Sequence, residues 1–129
     1  MIECGAKGQV SQTVTEALTA AAAGSGMLPV FGTPYLVALM ENAARTCVQP
    51  FLEEGSSTVG THIDISHDAP TPVGMQVTAE AEVTAVEGRR LTFAVRAWDA
   101  HGPIGSGTHT RVIVNNARFL QKSDAKRPG

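Results

Sequence analysis

The chain has 129 residues, enough to bury a respectable core in one domain and too few for two. Its net charge of −2 and pI near 6.0, with no basic run longer than two residues before the tail, argue against nucleic acid or an anionic membrane as the main partner and favour a neutral partner or a small ligand. Aromatic residues make up 5 %, so the core must be built from Val, Ile, Leu, Met and Ala, and a flat platform for stacking bases is not expected.

The amino end, MIECGAKGQV, has no charged start leading into an apolar run, and no stretch approaches the ~20 apolar residues that span a bilayer; a soluble, cytoplasmic protein is expected. Cys4 and Cys47 provide no disulfide framework, and Cys47 reads as a small buried hydrophobe. From Gln9 to Leu18 the threonine-rich, imperfectly alternating pattern predicts a first strand at a sheet edge. Thr19 to Gly32 follows, an alanine run broken by Gly24, Ser25 and Gly26 before Met27, Leu28, Pro29 and Val30. Two readings are open for it: a small hinged lid over a pocket, or an ordinary connection packed on the core.

Phe31 to Gly55 is the one segment with a helical apolar period over several turns. Thr33 followed by Pro34 is a start signal, with the threonine as cap. Leu36, Met40, Ala43, Cys47 and Phe51 line one face, widened by Val37, Ala44 and Val48. Pro50 predicts a kink or restart, and Gly55 a left-handed end residue. Glu41 falls at the rim of the apolar stripe; on spacing alone it reads as a surface acid paired with Arg45 one turn on.

Beyond the helix, Val59, Thr61, Ile63 and Ile65 share one parity and Gly60, His62, Asp64 and Ser66 the other, which predicts a strand with one buried face and an inward His67 at its end. Pro70, Pro72 and Gly74 end it. Met75 to Val86 predicts a strand with Val77, Ala79, Ala81, Val83 and Ala85 opposite a wet acidic face. Leu91, Phe93, Val95 and Ala97 return it after a glycine turn, so Glu and Arg pairs across the two strands are expected. Trp98 breaks the polar parity and marks an edge or a contact with a second subunit. Ile104 to Val114 is the last strand, with Gly105 and Gly107 leaving a bare strip for another backbone or a ligand. His109 and Arg111 beside it read as solvated sheet residues, with a phosphate contact as the alternative. Residues 1–120 are taken as a single domain and 121–129 as a frayed polar tail. The order predicts an α+β fold, a curved antiparallel sheet of about five strands around one long helix, with the uncovered area closed by a second copy.

At this point FGTPYLVALMEN, VGTHIDISHDAPTPVGMQVTAEAEV, VEGRRLTFAVRAWD and IGSGTHTR together resemble the fluoroacetyl-CoA thioesterase-like family over roughly residues 28 to 115. The resemblance implies a hot-dog fold and an acyl-CoA thioesterase acting on a small or modest acyl group, with coenzyme A entering only as part of the substrate. It also implies a homodimer with sites at the subunit interface. By position it implies Thr33, Glu41 and His67 as the catalytic constellation and Gly60 as a substrate contact. Met27 and Phe31 of the possible lid are expected at the acyl pocket. THIDISHD does not read as a metal site, because His62 and Asp64 point away from His67 and no further ligand spacing converges. The alternatives are a non-catalytic acyl-CoA binding module and an enoyl-CoA hydratase or dehydratase on the same architecture; the second needs an Asp and His pair on the helix, and this helix carries no histidine.

Overall fold

The computed structural model describes all 129 residues. One antiparallel sheet holds β1 (Lys7–Thr13), β2 (Ser56–His67), β3 (Gln76–Glu87), β4 (Arg90–Asp99) and β5 (Gly102–Asn115), in the spatial order β1-β3-β4-β5-β2. The single turn α1 (Ala20–Ala23) precedes the long helix α2 (Thr33–Val48), and α3 (Asn116–Asp124) follows the last strand. The sheet curves around α2, which lies chiefly over β1 and β3. No helix is long and apolar enough to cross a membrane.

Leu36, Leu39, Met40, Ala43, Ala44, Cys47 and Val48 form the buried face of α2. They meet Val77, Ala79, Ala81 and Val83 of β3 and Leu91, Phe93, Val95 and Ala97 of β4 in one continuous core. The α-helix stops at Val48, and a 3-10 turn at Gln49–Phe51 carries Pro50, as its missing donor requires. Phe51 therefore leaves the stripe and is about half exposed, while Leu39, outside the expected line, joins it. Close packing of α2 on β1 explains Gly8: a Cβ there would lie 2.6 Å from the Ala43 carbonyl oxygen.

Five further expectations are corrected. The first strand is Lys7–Thr13 rather than Gln9–Leu18, because Thr15 opens a 3-10 turn at Glu16–Leu18. In β2 the parity changes at a bulge between Gly60 and His62. Thr58 and Gly60 therefore face inward together with Ile63, Ile65 and His67, while Val59 faces out. The bare strip of β5 is filled by β2 itself: a Cβ on Gly105 would lie 2.5 Å from the Ser66 carbonyl oxygen, and one on Gly107 would strike the Asp64 carbonyl oxygen. Trp98 lies on the interior strand β4 rather than at a sheet edge, with the Arg96 guanidinium 4.7 Å from its ring. That arginine also holds Glu80 at 2.9 Å, the expected cross-strand pair. The polar tail is helical as far as Asp124, with Asn115 as the cap accepting from the Arg118 amide.

One polar tie fixes the loop that shapes the site. Thr71 is wholly buried; its hydroxyl donates to Asp99 at 2.7 Å, and the His101 amide donates to the other carboxylate oxygen at 2.8 Å. Burial alone would raise the Asp99 pKa, but these donors and the Gly102 amide outweigh it and hold the group below its ordinary 3.8. The Thr71 carbonyl in turn accepts from the Phe31 amide at 2.8 Å, so the tie sets the chain leading into α2. Asp99→Asn keeps one acceptor and loses the other, which costs about 1–2 kcal/mol. The melting temperature at pH 7 should fall by about 3–8 °C in a thermal scan. A carboxylate with a lowered folded pKa stabilises above its unfolded value and loses that stabilisation as pH falls through the folded one, so the deficit should shrink as pH falls below 3.8.

Candidate active site

Thr33 occupies the first turn of α2, but Gly32 is the N-cap and the Thr33 side chain caps nothing. Its Oγ1 lies 2.7 Å from His67 Nδ1 instead. Pro34 supplies the fixed φ of a helix start, and the bond from the Gly32 amide to Leu18 O pins the entry. His67 ends β2 opposite Gly105, half-buried, with the Phe31 ring edge-on at 6.5 Å. Nε2 of His67 is buried without a hydrogen-bond partner. Burial pushes the imidazole pKa below 6.5, although the Ala69 backbone and the Asp68 charge pull the other way. The ring is therefore neutral at pH 7. It borders a hollow of about 280 Å³ shared by Val30, Phe31, Thr33, Ala69 and Pro70.

Glu41 lies elsewhere. Eight residues along one helix place it about 12 Å from Thr33 along the axis, at ~1.5 Å per residue. It lines a second hollow of about 250 Å³ with Gly60 and His109, and Arg111 lies behind it. The Arg45 pairing expected from spacing is replaced: Glu41 Oε2 meets Arg111 Nη1 at 3.4 Å. Arg111 and His109 are buried core groups rather than solvated sheet residues. The Arg111 Nε donates to the Thr58 hydroxyl and Nη2 to the Thr58 carbonyl, both at 2.8 Å.

His109 Nδ1 lies 2.7 Å from the His62 carbonyl, which can only accept. The proton is therefore on Nδ1, and Nε2 receives Arg111 Nη1 at 3.2 Å. Burial lowers the His109 pKa; the bond to His62 and the Glu41 charge oppose this, while Arg111 adds to it. A Cβ at Gly60 would lie 2.8 Å from Glu41 Oε2 and 3.1 Å from His109 Cε1, so a side chain there would displace the Glu41 carboxylate. Sequence reasoning missed this pair. The usable signal was parity, since His109 and Arg111 alternate with Thr110 on a strand whose glycines must face β2.

Within one chain the structure brings Thr33, His67 and Phe31 together, and separately Glu41 and Gly60. Met27 reaches neither group; it stands 92 % exposed between α1 and α2, beside Leu28 at 66 %. No three His, Cys, Asp or Glu side chains converge in an arrangement that would hold a metal ion.

The model of the fluoroacetyl-CoA-specific thioesterase (FlK) family matches residues 14–117. The chain belongs to this family. It is 44 % identical over 99 residues to the fluoroacetyl-CoA thioesterase of Streptantibioticus cattleyicolor, covering 77 % of this chain and 71 % of that one. A solved structure of the fluoroacetyl-CoA thioesterase FlK superposes with a TM-score of 0.94 at 35 % identity over 99 % of both chains. A mutant of the same enzyme in complex with fluoroacetate and CoA superposes at 0.86 and 35 %, over 92 % of this chain and 99 % of that one. A hot-dog-like protein from Thermanaerovibrio acidaminovorans gives 0.90 at 26 %, over 99 % and 95 %. The fold is the hot-dog fold, and the family's chemistry is hydrolysis of an acyl-CoA thioester.

Proposed function

We propose that hydrolysis of a small acyl-CoA is carried out here by Thr33 and His67 of one protomer acting with Glu41 of a second. The 2.7 Å contact between Thr33 Oγ1 and His67 Nδ1, with Nε2 buried and unpartnered, carries this reading. With the proton on Nδ1, the Thr33 oxygen accepts it and its own O–H is free to donate to the thioester carbonyl at the positive end of α2. Nε2 is then the base that takes a proton from the attacking water. The tetrahedral adduct expels the sulfur, and the imidazolium returns the proton to the departing thiolate. Glu41 holds the water and stabilises the imidazolium.

A homodimer supplies the missing proximity. β2 is a free sheet edge twelve residues long, with Ile63 and Ile65 only half-buried, and such an edge invites pairing with another copy. Antiparallel pairing of two β2 edges centred between Ile63 and Asp64 would set His67 opposite the partner's Gly60, and hence near the partner's Glu41. Gly60 would then face the acyl group, with Phe31 as the opposite wall. Met27 and Leu28 offer apolar surface that a bound acyl chain or the partner would cover. With acyl-CoA as substrate, the expected location is the cytoplasm.

Thiol release measured across acetyl-, haloacetyl-, short-chain and aryl-CoA esters should show turnover, greatest for the small acyl groups, as the 250–280 Å³ hollows require. Saturable binding with no thiol release from any ester would establish a non-catalytic binding module instead.

A further inference from the structure

His109 is 1 % exposed, the only fully buried imidazole of the four, and the chemistry proposed above makes no use of it. A polar ring inside a core costs stability unless its nitrogens are engaged. Both are. Nδ1 donates to the His62 carbonyl at 2.7 Å, at the bulge where the β2 register shifts, and Nε2 accepts from Arg111 Nη1 at 3.2 Å. Phe93 of β4 packs against the ring, with 6.2 Å between centroids. Because the carbonyl can only accept, it decides which nitrogen carries the proton and leaves the other a lone pair for the arginine.

Arg111 is the only Lys or Arg side chain buried in the core. Its Nε and Nη2 are anchored on Thr58, which leaves Nη1 shared between the His109 ring at 3.2 Å and Glu41 Oε2 at 3.4 Å. Gly60 borders the same space, since a Cβ there would also lie 3.4 Å from Nη1. Glu41 is 41 % exposed on the face of α2, and Arg111 is its one ion-pair partner. The direction of the carboxylate therefore follows Nη1, and Nη1 is held on its other side by the imidazole.

We infer that His109 is a positioning residue for thioester hydrolysis, acting through Arg111 to aim the Glu41 carboxylate. The inference rests on the role given to Glu41 above. Only the neutral ring with its proton on Nδ1 can serve. A second proton turns Nε2 into a donor, sets N–H against N–H, and places a second positive charge 3.2 Å from the guanidinium nitrogen. The charged and titratable groups facing the ring are Arg111 on its own strand, Glu41 on α2 and His62 on β2, while β4 presents Phe93; Arg45 of α2 acts on Arg111 instead. Burial, joined by the Arg111 and His62 charges, outweighs the His62 carbonyl and Glu41 and keeps the ring neutral at pH 7. The aim is thus set at neutral pH and released in acid.

The test compares His109→Gln, whose amide can accept from Arg111 and donate to the His62 carbonyl, with His109→Leu, which does neither. For the best acyl-CoA at pH 7, His109→Leu should lose about tenfold or more in kcat while KM changes less than about threefold, because misaim at the reacting centre is felt in the transition state. His109→Gln should recover most of that loss. The acid limb separates aiming from mere support of the core. In the wild type both His67 and His109 must be unprotonated, so log kcat/KM should steepen towards about two per pH unit in acid; in His109→Gln, which titrates only at His67, it should stop at about one. Separate Nη signals of Arg111 in a nitrogen-15 NMR spectrum, the mark of a fixed guanidinium, should be present in the wild type and the glutamine variant. They should merge in the leucine variant, and in the wild type in acid. Equal kcat losses in the two variants, full kcat in His109→Leu, the same limiting slope in wild type and His109→Gln, or Arg111 signals indifferent to the substitution would each overturn the assignment. Should His109→Leu fail to fold, the two slopes and the wild-type spectrum decide. Should the wild type release no thiol from any ester, the thioesterase reading fails, and the spectrum still decides whether His109 positions Arg111.

Discussion

His67→Ala should lower kcat for the best acyl-CoA by about 10²–10⁴-fold, the usual contribution of a positioned proton-transfer group. Folding should survive the change. The ring is half-buried, and its one polar bond goes to the exposed Thr33 hydroxyl, which water can satisfy in its place. Stopped thiol release together with an unchanged circular dichroism spectrum is the measurement; turnover near wild type would remove His67 from the chemistry. The pH profile adds a second reading. Because burial holds the folded pKa below 6.5, kcat/KM should rise through a midpoint below that value and be flat at neutral pH.

Stability should follow the same group. A histidine whose folded pKa is depressed binds its proton more readily in the unfolded chain, so stability is full above the unfolded pKa and falls as pH drops below about 6.5. His67 and His109 both contribute to this acid slope. In His67→Ala only the His109 share remains, and the melting temperature should decline less steeply between pH 6.5 and pH 5 than in the wild type.

How much was legible beforehand varied with the kind of interaction. The helix and four of the five strands follow from apolar periodicity, since one continuous core enforces it; Val77 to Val83 and Leu91 to Ala97 alternate as read. The parity of β2 failed at Thr61 because a bulge inserts one residue, and nothing in VGTHIDIS distinguishes a bulged from a regular strand. Thr33 reads as a cap in sequence because caps are what threonines before proline usually make; a bond 34 residues away, to His67, outcompetes that local role. Arg111 reads as solvated in sequence because arginine rarely lies buried, and its partners Thr58 and Glu41 come from elements far apart in the chain. Resemblance implies a catalytic role for Glu41, and the structure pairs its carboxylate with Arg111 rather than Arg45. Helix rise alone already parts Glu41 from Thr33 by about 12 Å, at ~1.5 Å per residue; that His67 sides with Thr33 needed the fold.

That separation gives the most demanding prediction. Glu41→Gln keeps shape and removes charge, and turnover should fall about 10²-fold or more. Folding should be little affected. Although Arg111 loses its carboxylate, it keeps two bonds to Thr58. Glu41 is 41 % exposed, so the pair is screened and its loss should cost about 1 kcal/mol, well short of a fully buried one. A dimer mixed from Glu41→Gln and His67→Ala protomers separates the two possible arrangements. If Glu41 serves the His67 of its own chain, each of the two sites carries one lesion and the mixed dimer is as inactive as its parents. If it serves the partner, one site carries both lesions and the other none, and tandem-purified mixed dimers should recover about half of wild-type turnover. The chain geometry favours recovery, because about 12 Å of rigid helix parts Thr33 from Glu41 and no side-chain rotation closes it. Mixed dimers with no more activity than either parent would return the whole site to a single chain.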